Sequence, residues 1–544
     1  PMSHPQVDRD WWRGAVIYQI YPRSFQDSSG DGIGDLAGIR RRLPYIASLG
    51  VDAIWISPFY RSPMVDFGYD IEDYREVDPI FGTLKDFDLL LAAAHRHGLK
   101  VIIDMVLSHT SIRHRWFQES RRTRGNPKDD WYVWADPRPD GTAPNNWLSM
   151  FGGPAWSWEP RREQYYLHNF LPEQPDLNLH NHEVQEALIT ECRFWLERGV
   201  DGFRLDACNF LMHDPLLRAN PPRPPEAPPT DGVKPNNPYN RQLHIYDKTQ
   251  PEALDFLRYL RNVTQEYGDI VLIAEIAADD SLKVMQEYAG LGGPLHTAYS
   301  FALLGEKLDT QLLPETFFPF HDSRRHGWPS WAFSNHDVAR VATRWGGRDA
   351  PDAYCKLLIA LLTSLRGSIF LYQGEELGLP EADVPYEQVK DPYGLNFFPD
   401  FPGRDGCRTP MPWDDNDRHA GFSTVDGWLP VPNEHLRRSV GAQEAAADSV
   451  LSFTRNFLRW RKAQAPLILG GIDFLTTEPD LVAFTRTLGE EKLLAAFNLD
   501  GQERSLAFSG DIREILDTHG LPQGEVTDGR IHLPPFGAFF ALVE

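Results

Sequence analysis

The 544-residue chain is poor in cysteine, in positive charge and in long apolar runs, and each shortage removes a class of protein. Its four cysteines, Cys192, Cys208, Cys355 and Cys407, are scattered without metal-type spacing, so they read as reduced, buried thiols of a cytoplasmic protein. Lysine and arginine number 54 against 77 aspartates and glutamates, a net charge of −23 that repels phosphate backbones and anionic lipid. Nucleic acid and membrane surfaces are therefore set aside in favour of neutral substrates. The longest apolar stretch, residues 357–365, is too short to span a bilayer, and the N-terminal PMSHPQVDRDWW carries no apolar signal region. Secretion and membrane insertion are not expected. No G-x-G-x-x-G follows a candidate strand, which argues against a dinucleotide or phosphate-binding enzyme. Internal repeats are absent as well.

What is present is an alternation of short apolar strands with amphipathic helices, beginning at Ala15. AVIYQIY leads to a candidate helix from Leu36 to Leu49 that stops at Gly50, then to AIWI, then to a helix opened by Thr83 and Asp86 at capping-box spacing and closed by Gly98. The beat continues through KVIIDMV, GFRLD, DIVLIAEI, HTAYSF, SWAFSNHD and GSIFLYQGEE, and eight strands alternating with helices predict a parallel (β/α)8 TIM barrel. The barrel is assigned to residues 1–104 and 177–465. Residues 105–176 break the beat and form an inserted domain holding six of the sixteen tryptophans, which are expected mainly to build that domain's own core. Eight prolines between Ala219 and Pro238 exclude a helix or inner strand there, leaving a stiff rim or a disordered segment as equal alternatives. After Ala465 the helices are expected to stop, and residues 466–544 read as an antiparallel, sandwich-like β domain.

The chain is organised around GVDGFRLDACNF. A helix with Asn181 as N-cap and Gly199 as stop feeds a strand whose alternation sets Arg204 beside Asp206. One such pair alone favours a structural ion pair over a site. Further charged residues, however, also fall at strand ends: Asp104 and His109 after the third, Glu275 after the fifth, His336 and Asp337 after the seventh. Asp206, Glu275 and Asp337 meet the needs of glycoside hydrolysis. Arg204 is expected to keep Asp206 ionised, while the apolar flanks Ile273, Ala274 and Ile276 raise the pKa of Glu275 so that it holds a proton. Separately, Asp27, Ser29, Asp31 and Asp35, with the carbonyl of Ile33, stand at positions 1, 3, 5, 9 and 7 of a calcium-type loop. Position 12 is Gly38 rather than Glu, so the loop is no EF-hand, and a polar turn is an equal reading.

The segments DMVLSH, GFRLDACN, IAEI and FSNHD, in this order, resemble the four signature regions of the α-amylase family, family 13 of the glycoside hydrolases. FGYDIEDYREVDPIFG, QPDLN and GRDGCRTPMPWDD resemble its branch of α-glucosidases and oligo-1,6-glucosidases, and the similarity covers nearly the whole chain. The resemblance implies Asp206 as nucleophile, Glu275 as general acid/base and Asp337 as the carboxylate holding hydroxyls of the distorted sugar. It places His109, Arg204 and His336 around the same ring, Tyr69 stacked on it, Asp66 and Arg404 at its non-reducing end, and Phe151 and Phe170 on the wall. The Asp27–Asp35 loop would hold a structural calcium or magnesium, and no organic cofactor is implied.

In this branch the residue after the nucleophile goes with linkage preference, and Ala207 points to α-1,4 substrates of the maltose type. The expectation is a cytoplasmic retaining α-glucosidase, monomer or homodimer, that transfers glucose to alcohol or sugar acceptors as well as to water. Close alternatives are an oligo-1,6-glucosidase, a sucrose-specific glucosidase or a sucrose- or trehalose-isomerising enzyme. A non-catalytic barrel homologue is disfavoured, because all three carboxylates are kept.

Overall fold

In the computed structural model, which describes residues 10–322 and 327–544, eight parallel strands close into a barrel. They are β1 (Val16–Ile20), β2 (Ala53–Ile56), β3 (Lys100–Met105), β4 (Gly202–Leu205), β5 (Val271–Ile276), β6 (Thr297–Ser300), β7 (Trp328–Ala332) and β8 (Ser368–Tyr372). Each pairs with its sequence neighbours and β8 returns to β1. Nearly every strand residue is buried, as expected where helices cover the outside and side chains fill the inside. The first nine residues, including most of the N-terminal stretch read for a signal region, lie outside the described residues. Among the described residues no helix is long and apolar enough to cross a membrane, and the four cysteines are free and buried.

The capping chemistry read from the sequence sets two helix ends. Thr83 and Asp86 form a reciprocal capping box on the helix Leu84–Arg96. The Asn181 side chain accepts from the Glu183 amide, and Gly199, at φ 104°, ends the helix His182–Arg198 in the left-handed conformation. One expected helix is divided: Leu36–Arg41 and Leu43–Ser48 are separate, because Pro44 supplies no N–H and its ring opposes continuation from the preceding turn.

Between β3 and the helix His182–Arg198 stands a small antiparallel sheet of Trp134–Ala135, Gln164–Leu167 and Trp156–Glu159. Its tryptophans pack mainly on aromatic neighbours: Trp147 stacks on Trp156 at 5.8 Å, and Trp134 on Phe117 at 5.6 Å. The proline-rich segment is an ordered rim. Arg223 ties it together by donating to Thr230 Oγ1 (2.7 Å) and the Gln242 carbonyl (2.9 Å) and by pairing with Asp279, while Asp231 accepts from the Phe301 amide at 2.8 Å. A short helix, Ala465–Leu469, persists past the expected limit. Beyond it a five-stranded and a three-stranded antiparallel sheet complete the chain.

Candidate active site

Strand register brings the charged residues together. Asp104 on β3 lies directly across from Arg204 on β4, and Glu275 on β5 across from Tyr299 on β6. All four point into a cluster at the C-terminal mouth, where Arg204 is fully buried. Its Nη1 donates to Asp104 (3.0 Å) and Asp206 (2.6 Å), its Nη2 to Glu275 and to the Tyr299 hydroxyl (2.8 Å), and its Nε again to Tyr299 (3.0 Å). One guanidinium therefore bridges Asp206 and Glu275.

This corrects the expectation that Arg204 serves Asp206. Its single charge is divided among three carboxylates, too little for any one of them to overcome burial. Desolvation raises Asp206 to about 7 and Glu275 to about 8, with Arg204 pulling both down. Burial thus acts on both groups in the same direction, and Arg204 opposes it in both. Asp337 goes the other way. Burial opposes its ionisation, but His336, Arg404 and Arg408 outweigh it and hold it below the ordinary carboxylate range. Burial also holds His336 well below its usual value, so the lasting positive charge beside Asp337 is that of the two arginines.

Of these two, Arg404 lines a small cleft of about 90 Å³ together with Asp66, Asp206, Glu275 and Asp337. Arg404 donates bidentately to Asp391 (2.9 Å twice), and to Asp66 (2.9 Å) and Asp337 (3.0 Å). Asp66, Tyr69, His109, Phe151, Phe170, Asp206, Glu275, His336, Asp337 and Arg404 all line the cleft. His109 donates Nε2–H to the Tyr69 carbonyl (2.9 Å), leaving Nδ1 to accept from Ser108, and burial lowers it to about 4, so it works as a neutral ring. The Tyr69 and His336 rings stack at 5.2 Å and 3°.

Two expected residues are not on the cleft wall: Arg204 lies beneath it, and Ala207 is buried. Ala207 adopts φ 43°, ψ 49°, uncommon for a residue with a Cβ, and its amide donates to Glu275 Oε1 at 3.2 Å. It braces the acid as well as following Asp206 in the chain.

Sequence reasoning missed Met150, Phe210, Gly232, Ala277, Phe301 and Tyr393 on the wall, and Asp391, which pairs with Arg404. Gly232 could have been flagged. It sits at φ +79° where a Cβ would lie 2.7 Å from the Phe301 ring, so only glycine lets the proline rim approach there. Asp391 caps the short helix Pro392–Phe397, which holds Tyr393, and the Asp-Pro pair was a local sign of that cap, though not of a place at the cleft.

The donor set read for the Asp27–Asp35 loop includes Ser29 and the Ile33 carbonyl beside its three aspartates. Among the described residues no three His, Cys, Asp or Glu side chains stand close enough to hold a metal ion. Asp27 is occupied by the amides of Ser29, Gly30 and Gly32 and by the Ser423 hydroxyl. Asp35 accepts from Ser28 and Gly38, and Asp31 from the Ile33 amide. Each carboxylate closes a local turn. The donors are nonetheless all hard oxygens, the kind calcium and magnesium take.

A (β/α)8 barrel with Asp206, Glu275 and Asp337 gathered at its C-terminal mouth, the first two bridged by one arginine, defines the class as glycoside hydrolase. Residues 19–470 match the family described as alpha amylase, catalytic domain, and the chain belongs to that family. It is 55% identical over 539 residues to a probable alpha-glucosidase of Rhizobium meliloti (strain 1021), covering 98% of each chain. An oligo-1,6-glucosidase of Heyndrickxia coagulans is 36% identical over 92% of this chain and 93% of its own. Among solved structures, the alpha-glucosyl transfer enzyme XgtA superposes with a TM-score of 0.95 at 54% identity, over 98% of this chain and 99% of that one.

Proposed function

We propose that the protein is a retaining, exo-acting α-glucosidase that releases α-glucose from the non-reducing end of short α-1,4-glucosides such as maltose and passes part of it to alcohol or sugar acceptors. The observation that carries this reading is the Asp66–Arg404–Asp337 ion-pair cluster on the cleft wall, which the reading sets against the non-reducing end of the sugar. Set there, it admits a terminal sugar and excludes the middle of a chain. In the first step the Asp206 carboxylate attacks the anomeric carbon, the bond to the leaving oxygen breaks, and Glu275 gives that oxygen its proton. In the second step a water or acceptor hydroxyl attacks the same carbon, its proton passes to Glu275, and Asp206 departs as carboxylate. The single guanidinium between the two carboxylates supports the close spacing that double displacement needs. Asp337, kept ionised by Arg404 and Arg408, is assigned to the sugar hydroxyls.

The α-1,4 preference rests on Ala207. The same reading gives the Asp27–Asp35 loop a structural calcium or magnesium, which would take over the carboxylates of Asp27 and Asp35 from their amides. Four buried free thiols accord with a cytoplasmic setting.

The test is an NMR time course with maltose, isomaltose and sucrose in parallel. α-Glucose appearing first, fastest from maltose, together with new α-glucosides, is the expected result. Fastest release from isomaltose would replace the linkage preference, and β-glucose appearing first would overturn double displacement.

A further inference from the structure

We infer that Tyr299 is a positioning residue that aims a hydrogen bond at the carboxyl of Glu275 and so sets the pH at which that group gives up its proton. The inference rests on the reading of Glu275 as general acid/base. Tyr299 stands beside Glu275 in the β5–β6 register and is fully enclosed. Its hydroxyl oxygen accepts from Arg204 Nε at 3.0 Å and Nη2 at 2.8 Å. A phenol has one proton and two lone pairs, so with both lone pairs taken by Arg204 it can act toward Glu275 only as a donor. That donation is directed to Glu275 Oε2 at 3.3 Å.

The direction matters chemically. A phenol polarised by a guanidinium is a stronger donor, and a donor favours the ionised form of the carboxylate it touches. Had one lone pair been free, a protonated Glu275 could have donated to Tyr299 and the effect would reverse. Burial raises the phenol's own pKa well above its ordinary value, so Tyr299 keeps its proton throughout the working range of the site.

The other groups facing Glu275 are Arg204 and Asp206 from the β4 end, Asp337 from the loop after β7, Cys208 and the amide of Ala207 from the turn after Asp206, and Asp104 from β3. Tyr299 is the neutral side chain among them that offers Glu275 an O–H. It therefore favours the second chemical step, in which Glu275 must be a carboxylate ready to take a proton, and it limits how far burial raises the pKa used in the first.

The experiment compares the pH dependence of kcat/KM and kcat, with maltose, for the wild type, Tyr299→Phe and the protein carrying 3-fluorotyrosine at 299. The descending limb of kcat/KM reports loss of the proton from Glu275. In Tyr299→Phe it is expected to move to higher pH by about half to one unit, the size of one modest hydrogen bond, with kcat lowered more than KM is raised. The fluorinated residue is a stronger donor and is expected to move the same limb to lower pH, a readout that does not require the phenylalanine variant to fold. Limbs that stay in place in both proteins would overturn the inference. Glu275→Gln is measured alongside: if it keeps near-normal turnover, the acid/base reading itself falls, whereas an inactive Glu275→Gln with unmoved limbs sinks only the role of Tyr299.

Discussion

Two groups of buried arginines, at opposite ends of the barrel strands, behave in opposite ways. At the C-terminal mouth Arg204 and Arg404 face carboxylates, and although burial works against their charge, Asp104 and Glu275 for the first and Asp391 and Asp66 for the second raise their pKa values well above the ordinary arginine range. Near the N-terminal end of β8, Arg461 and Arg486 face backbone carbonyls. Arg461 donates to Thr363 (2.6 Å) and Arg486 to Ser364 (2.7 Å), Leu467 (2.8 Å), Gly470 (2.9 Å) and Gly471 (3.2 Å). Burial lowers Arg461 to about 10 and Arg486 well below its usual value. Burial is the same in both places, and the partner decides. Carbonyls at the ends of the helices Asp352–Ser364 and Ala465–Leu469 gain a cap and join the C-terminal sheet to the barrel. Carboxylates gain a shared charge that can be redistributed during a reaction.

The strongest way to break this contrast is to remove a carboxylate from the first group. Asp206→Asn and Glu275→Gln should each lower turnover on maltose by about 10³-fold or more while the thermal unfolding midpoint stays within a few degrees. Retention of near-normal turnover by either would show that the arginine-bridged pair is structural, like the second group.

Removing an arginine from each group separates the roles next. Arg404→Ala leaves Asp66 and Asp391 buried without their cation, and kcat/KM should fall by about 10²-fold, mostly through KM. Arg486→Met keeps the volume but strands four carbonyls, which should cost about 3 kcal/mol of stability and leave kcat within about twofold below the unfolding transition. Equal effects of both substitutions on KM would erase the distinction between the two groups.

How much of this was legible in the sequence follows the same division. The barrel could be read because β-branched strands, helix caps and glycine stops are local signals: Asn181, Gly199, Thr83 and Asp86 act where their spacing places them. The three strand-end carboxylates could be read because the fold puts chemistry at those ends. The sharing of Arg204 could not, since it depends on the register that sets Asp104 and Tyr299 beside it from other strands. Asp391 could be read as the cap of the helix Pro392–Phe397, but its grip on Arg404 is a tertiary contact that no local spacing shows. The metal-type spacing at Asp27 was a true local pattern, but spacing alone cannot say whether a carboxylate meets a cation or an amide.

A finer test uses pH to compare stability with activity. Glu275 has an ordinary pKa of 4.5 and a folded value of about 8, so between those values the folded protein binds more protons than the unfolded chain. Stability from this group is therefore complete below about pH 4.5 and is lost as pH rises through 8. Gln resembles the protonated acid at every pH. The unfolding midpoint of Glu275→Gln should match the wild type at pH 5 and exceed it at pH 9, and a constant difference across that range would contradict the raised pKa.

The smallest expected effect concerns the loop at Asp27. The Ser423 hydroxyl and the amides of Gly32, Gly30 and Ser29 outweigh burial and keep Asp27 below the ordinary carboxylate range, so it remains ionised and able to receive a cation. Because the amides already satisfy it, a bound ion stabilises the fold only by the excess of its own interactions over theirs. Dialysis against a chelator should lower the unfolding midpoint by no more than a few degrees, calcium or magnesium should restore it, and Asp27→Asn should remove the response. A midpoint that chelator does not move would leave the loop as a turn held by its own amides, and the oxygen donors would then serve backbone geometry as the carbonyls around Arg486 do.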